Sequence, residues 1–186
     1  MNIVIDNYDS FTYNLVQCIG EIDSDIFVYK NNEITIEEII SMNPDHIIIS
    51  PGPGHPKDAG ISISIADLLK NKFPIMGICL GHQAIGYSLG ARVINADDIL
   101  HGKTSEIHHN NDPIFENVPS PFIATRYHSL IIDKNSLSDK LHVIAQTSKG
   151  LIMGMRHIEY NLYGFQFHPE SILTDYGITI IRNFLK

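Results

Sequence analysis

Four short β-branched runs, Ile3 to Asp6, Ile26 to Tyr29, His46 to Ser50 and Ile75 to Ile78, alternate in the first half of the chain with stretches of helical periodicity. That alternation limits the fold more than any other feature, because strands separated by helices announce βα units and a parallel sheet. Phe11, Leu15, Val16 and Ile19 share one face of a helix that Ser10 or Thr12 can cap and that runs to about Ile22. Thr35-Ile36-Glu37-Glu38 has capping-box spacing ahead of Ile39 and Ile40, and Pro44 stops that helix. Further helices are predicted near Ile61 to Lys70 and from about His82 to Leu89, which makes four parallel strands. From Ala91 the pattern changes to Ala91 to Asn95, Phe122 to Arg126, Leu141 to Thr147, Leu151 to Arg156 and Tyr163 to Phe167, separated by Pro, Asn, Asp and Gly. Short alternating segments of this kind predict antiparallel strands, and a helix from Tyr176 to Leu185 closes the chain. The expected fold class is α/β: a mixed, mainly parallel central sheet flanked by helices, with a smaller antiparallel sheet.

At 186 residues, with no fixed-period repeat or Pro/Ser linker, and with roughly 150 residues per domain as a guide, residues 1–186 are expected to form one domain. A hydrophobic fraction of 44% with 18% charged residues excludes intrinsic disorder. Thirteen Lys and Arg against 21 Asp and Glu give a net charge of −8, and no basic cluster offsets it, so nucleic acid is not an expected partner. Met1-Asn2-Ile3-Val4-Ile5-Asp6 has no basic leader and turns acidic early, so it reads as a strand and predicts a mature chain starting at Met1. No apolar run approaches the roughly 18 residues that cross a bilayer, so no membrane association is expected. Two cysteines, Cys18 and Cys79, cannot build a disulfide scaffold, and a cytoplasmic, reducing location follows as an expectation.

Gly77-Ile78-Cys79-Leu80-Gly81 lies between a predicted strand and a predicted helix, an arrangement that can hold a nucleophile on a strained elbow. Glycine two residues to either side lets strand and helix approach closely. Cys79 then points outward over a helix N-terminus, where that dipole and a histidine can populate thiolate. Cys18, inside an amphipathic helix, fits a packing role instead. Phe167-His168-Pro169-Glu170-Ser171 supplies a base and an orienting acid, because side chains at i and i+2 of an extended segment leave the same face. Pro169 stiffens that segment. The loop Pro51-Gly52-Pro53-Gly54 can turn an N–H toward a reacting centre, and the residue after an elbow nucleophile commonly supplies a second, so the Gly52 and Leu80 N–H groups are the candidate oxyanion donors. It lacks the Gly-Lys-Ser/Thr ending of a phosphate loop. Ten histidines, His108 and His109 among them, show no metal-ligand spacing, so neither a metal nor any other cofactor is expected.

Taken with Ser50-Pro51-Gly52-Pro53-Gly54 and Gly164-Phe165-Gln166-Phe167-His168-Pro169-Glu170-Ser171, the run Gly77-Ile78-Cys79-Leu80-Gly81-His82-Gln83 resembles the class I (triad) glutamine amidotransferases. The opening Asp6 to Asn14, with His101-Gly102-Lys103-Thr104-Ser105 and Arg126-Tyr127-His128-Ser129-Leu130, is similar more narrowly to the glutaminase subunits of anthranilate synthase and aminodeoxychorismate synthase. The resemblance implies a flavodoxin-like core and hydrolysis of L-glutamine by Cys79, His168 and Glu170. It also implies substrate contacts from Gly52, Pro53, Gly54, Gln83, Ser129 and Leu130, while His128 serves equally well as a packing residue. A separate chorismate-binding synthase subunit is the implied partner and recipient of ammonia, and the Asn7 to Asn14 segment and the His101 to Ser105 loop are the candidates for touching it. The competing readings are another cysteine amidase or peptidase, a regulatory module with a vestigial triad, and an amidotransferase feeding GMP or carbamoyl phosphate synthesis.

Overall fold

A computed structural model describes the chain, with side chains for residues 1–96 and 102–186. The first half runs β1 (Asn2–Asp6), α1 (Thr12–Gly20), β2 (Ile26–Lys30), α2 (Ile36–Met42), β3 (His46–Ile49), α3 (Ser62–Leu68), β4 (Ile75–Ile78) and α4 (Leu80–Ser88). The second half runs β5 (Val93–His109), β6 (Phe122–Ile132), β7 (Leu141–Thr147), β8 (Ile152–His157), β9 (Leu162–Phe165) and α5 (Gly177–Phe184). All nine strands join one sheet in the order β2-β1-β3-β4-β9-β8-β7-β5-β6.

Alternation along the inner strands sorts their side chains onto two buried faces. Val4, Ile48, Met76 and Ile78 pack with Leu15 and Ile19 of α1 and with Ile180, Ile181 and Phe184 of α5. Ile3, Ile5, Ile47, Ile49 and Ile75 face the other way, against Ile39 of α2, Ile65 of α3 and Ile85 of α4. Each isoleucine fully buried in this way contributes about 1.5–3 kcal/mol. The capping box on α2 forms as its spacing predicts, Thr35 Oγ1 accepting the Glu38 N–H at 3.2 Å and Glu38 Oε2 accepting the Thr35 N–H at 2.8 Å. The start of α1 is different: neither Ser10 nor Thr12 caps it. Asp9 accepts the Phe11 N–H at 2.8 Å, while the Thr12 hydroxyl turns inward to Asp6 at 3.0 Å.

The expected smaller antiparallel sheet does not stand apart. Strand β9 inserts beside β4, parallel to it with Gly77 opposite Gly164, and pairs antiparallel with β8 on its other edge. The antiparallel strands therefore continue the parallel ones. Periodicity reports which face of a strand is buried and says nothing about which edge it pairs with, so this join was not readable. Strand β5 also extends through the segment expected to be a loop, with irregular register around Gly102, whose φ is +65°. His101 of that segment lies outside the described residues.

Candidate active site

The parallel half delivers Cys79 at the carboxyl end of β4, one residue before α4 begins. Its backbone sits at φ +51°, a region that a side chain occupies only under constraint. Two hydrogen bonds hold it there: the Cys79 N–H donates to the Phe165 carbonyl at 2.8 Å, and the Cys79 carbonyl accepts the Gln83 N–H at 3.0 Å. A Cβ on Gly77 would lie 2.4 Å from the Gly81 backbone, and one on Gly81 would lie 2.5 Å from the Ile49 carbonyl oxygen. Strand and helix thus cross closer than any side chain at either position permits.

Beyond β9 the chain passes back across the elbow. Gln166 Nε2 donates to Cys79 Sγ at 3.6 Å, and the thiol contacts the Tyr127 carbonyl at 3.7 Å. Two residues on, His168 Nδ1 pairs with Glu170 Oε1 at 2.6 Å, with both side chains buried. The segment is rigidly placed: the His168 N–H donates to the Thr125 carbonyl at 3.0 Å, and the Thr174 hydroxyl donates to the His168 carbonyl at 2.6 Å. Tyr127 and Phe11 present their rings to the imidazole in edge-on geometry, at 5.2 and 6.3 Å. His168 Nε2 makes no ordinary hydrogen bond among the described residues. The Cys79 sulfur nevertheless acts on the ring. Burial pushes the His168 pKa down, but the Glu170 charge, the contacts with Cys79 and Glu170 and the Cys79 charge outweigh it and raise the pKa to about 10. His168 is therefore protonated at neutral pH, an imidazolium held between a carboxylate and a sulfur.

This geometry fixes a pH dependence of stability. A folded pKa of about 10 against an unfolded value of 6.5 means that the pair's contribution is complete below pH 6.5 and disappears as pH rises toward 10. Thermal unfolding followed across that range is expected to show the parent losing stability, with Glu170→Gln flattening the loss; parallel curves for the two proteins would contradict it.

Gln83 is buried, and its Nε2 donates to the Leu130 carbonyl at 3.1 Å and to Gln166 Oε1 at 3.2 Å. Gln166 thereby joins Gln83 to the sulfur, a link that sequence reasoning missed. Gln166 lies at a bend directly after β9, so no strand periodicity could have marked it. Leu130 is half-buried, and Ser129 is exposed at the rim. In the loop after β3, Gly52 is half-buried and Pro53 and Gly54 are exposed, with Gly54 at φ +78°. A Cβ on Gly52 would come within 2.6 Å of both Asn7 Cβ and Leu80 Cδ2, so the loop is pressed against the first residue of α4. The Leu80 N–H belongs to the first turn of that helix and has no partner in its ladder.

Two neighbouring histidines are kept neutral. Burial holds His82 at about 4, and burial with the Arg126 charge holds His128 at about 3. Arg126 Nε donates to His128 Nε2 at 3.0 Å, so His128 braces the strand that carries Ser129 and Leu130. Cys18 lies behind the acid, its thiol 3.9 Å from the Glu170 carbonyl and pushed up in pKa by burial and by the Glu170 and Glu21 charges. Those are the surroundings of a packing cysteine. Among the described residues there is no cluster of His, Cys, Asp or Glu that could hold a metal ion, and no helix is long and apolar enough to cross a membrane.

The sequence that builds this nucleophile elbow, buried His–Glu pair and glycine loop is similar to known proteins along its whole length. The model of the family "Glutamine amidotransferase class-I" matches residues 3–186. The chain belongs to this family. It is 55% identical over 186 residues to "Bifunctional protein TrpGD" of Thermotoga maritima, covering 99% of this chain and 32% of that protein, so it spans about a third of that relative's length. "Anthranilate synthase component 2" of Pyropia yezoensis is 53% identical, with 100% of this chain and 99% of the relative covered. "Aminodeoxychorismate/anthranilate synthase component 2" of Bacillus subtilis is 48% identical, with 100% and 96% covered. A solved structure described as that of a putative GMP synthase subunit from Thermoplasma acidophilum superposes with a TM-score of 0.86 at 25% identity, covering 100% of this chain and 92% of that one.

Proposed function

We propose that this chain is the glutaminase subunit of a chorismate-aminating synthase, with anthranilate synthase the favoured complex. The observation that carries the reading is Cys79 at a strained elbow, in electrostatic contact with a His168 that Glu170 holds protonated. Cys79 attacks the side-chain amide carbon of L-glutamine, and the resulting oxyanion is met by the Gly52 and Leu80 N–H groups. His168 gives its proton to the departing ammonia, leaving a glutamyl thioester on Cys79. His168 then takes a proton from water, whose oxygen attacks the thioester; a second oxyanion collapses, glutamate leaves and the sulfur is restored. Glu170 accepts the Nδ1 hydrogen bond throughout, so Nε2 is the nitrogen that exchanges protons. Gly52, Pro53 and Gly54 line the substrate on one side; Gln83, Ser129 and Leu130 bind its α-amino and α-carboxyl ends.

Relatives named anthranilate synthase component 2 match along almost their whole length, which supports a partner subunit that uses the ammonia. The Bacillus subtilis relative carries both synthase names, so service to aminodeoxychorismate synthase, alone or as well, is the second reading. The deciding measurement mixes the chain with each synthase subunit in turn, following glutamate release and product formation from glutamine. Release stimulated by one subunit identifies the partner; no release with either would sink the proposal.

Of the segment from Asn7 to Asn14, Asn7 is buried and cannot touch a partner, whereas Tyr8 and Tyr13 are 55% and 68% exposed. Lys103 is exposed on β5, and Ser105 accepts from Arg126 at 3.1 Å. Lys103→Glu is expected to weaken complex formation by about three- to tenfold without altering the unfolding temperature, as charge reversal at a rim does. Titration of the synthase subunit into labelled chain checks this; equal affinity would remove Lys103 from the interface.

A further inference from the structure

Whether Gly52 can serve an oxyanion depends on which way its N–H points, and that direction is set from behind the loop. Ser50, fully buried after β3, donates its hydroxyl to the Pro51 carbonyl at 2.6 Å. Its oxygen accepts the Asn7 N–H at 2.9 Å. The Pro51 carbonyl and the Gly52 N–H belong to one trans peptide, in which the two groups point in opposite directions. Fixing the carbonyl against Ser50 therefore fixes the N–H away from it. Asn7 in turn is held at both ends of its amide. Its Nδ2 donates to the Ser50 carbonyl at 2.9 Å, and its Oδ1 accepts from Asn31 Nδ2 and Ser62 Oγ, each at 2.9 Å. One buried amide thus ties the ends of β1, β2 and β3 to the start of α3. Contact of Gly52 with Asn7 and Leu80 leaves the locked peptide little room to rotate.

We propose that Ser50 and Asn7 are positioning residues that lock the Pro51–Gly52 peptide plane and so present the Gly52 N–H to the oxyanion. The proposal rests on the glutaminase reading above. It demands more of Ser50 than filling a buried site: its hydroxyl must both accept from Asn7 and donate to Pro51. An alanine there leaves the Asn7 N–H and the Pro51 carbonyl without their shared partner and frees the peptide to turn.

The test compares Ser50→Ala, Ser50→Thr, Asn7→Asp and Cys79→Ser in the complex reconstituted with the synthase subunit. Two rates are read: glutamate release from glutamine, and alkylation of Cys79 by iodoacetamide. Alkylation displaces iodide from carbon without forming an oxyanion, so it reports the thiolate and is blind to the lock. Ser50→Ala is expected to lower kcat by about 10- to 100-fold, below the full loss of an oxyanion donor, with KM changed less than about threefold. Its alkylation rate should stay within about twofold of the parent. Ser50→Thr keeps the hydroxyl and should recover most of kcat, while Asn7→Asp, which cannot donate to the Ser50 carbonyl, should repeat the alanine pattern more weakly. Unchanged kcat in Ser50→Ala and Asn7→Asp overturns the proposal. So does a fall in kcat matched by an equal fall in alkylation, which marks general distortion of the site. If the parent complex itself releases no glutamate from glutamine, the glutaminase reading fails instead, and parent-rate release by Cys79→Ser removes the sulfur as nucleophile.

Discussion

Cys79→Ser is expected to abolish glutamine-dependent amination, by more than about 10³-fold, while leaving amination from ammonium salts unchanged. The first half follows from the protonation state of the pair. His168 already carries its proton at neutral pH because Glu170 and Cys79 stabilise the imidazolium. It is therefore poised to protonate ammonia, and a serine hydroxyl in place of the sulfur holds its proton far more tightly than a thiol and is a far weaker nucleophile at neutral pH. The second half follows from location: free ammonia needs neither the thioester nor the oxyanion donors, only the synthase. Product formation by the reconstituted complex at saturating glutamine, and then at high ammonium concentration, separates the two. Equal loss from both donors would mean that the substitution damages assembly, and retention of both would remove the sulfur from the chemistry.

The site was legible wherever its chemistry is written in consecutive residues. The glycines around Cys79 announce a close crossing, and the crossing found between Gly77, Gly81 and Ile49 is tighter than a Cβ allows. His168 and Glu170 meet at 2.6 Å as their spacing suggests, but across a turn closed by the Ser171 N–H on the His168 carbonyl at 3.3 Å, not along the extended segment that was expected. What escaped reading depends on partners distant in the chain. Gln83 meets Gln166 across 83 positions, and Asn7 meets Ser50 across 43. No local periodicity encodes such meetings; the first needs β9 inserted beside β4, and the second needs β1 set beside β3. The misplacement of Asn7 on the outer surface has the same origin, since a polar residue after a strand looks like loop until buried donors and acceptors are found to surround it.

The elbow also predicts which glycine the fold tolerates least. Gly81→Ala puts a methyl 2.5 Å from the Ile49 carbonyl oxygen and 3.0 Å from Ile49 Cβ. Ile49 belongs to β3, paired with β1 and β4 and buried on both faces, so it cannot retreat. Helix α4 must move instead, and overpacking against backbone costs about 3 kcal/mol or more. For a chain of this size that lowers the unfolding temperature by about 6–12 °C. Gly54→Ala is the control: its φ is +78° but nothing lies within 4 Å of the added methyl, so only backbone strain of about 1 kcal/mol is expected. Calorimetry of the two variants tests the ranking, and a Gly81→Ala protein as stable as Gly54→Ala would show that the crossing is not rigid. Activity should suffer beyond stability. The shift of α4 carries the Leu80 N–H and the Cys79 backbone away from Gly52 and His168, which the sheet and the Thr125 contact hold in place. A displacement near 1 Å between such groups costs about 10²-fold in rate, so the folded fraction of Gly81→Ala is expected to hydrolyse glutamine far more slowly than its residual stability alone would suggest.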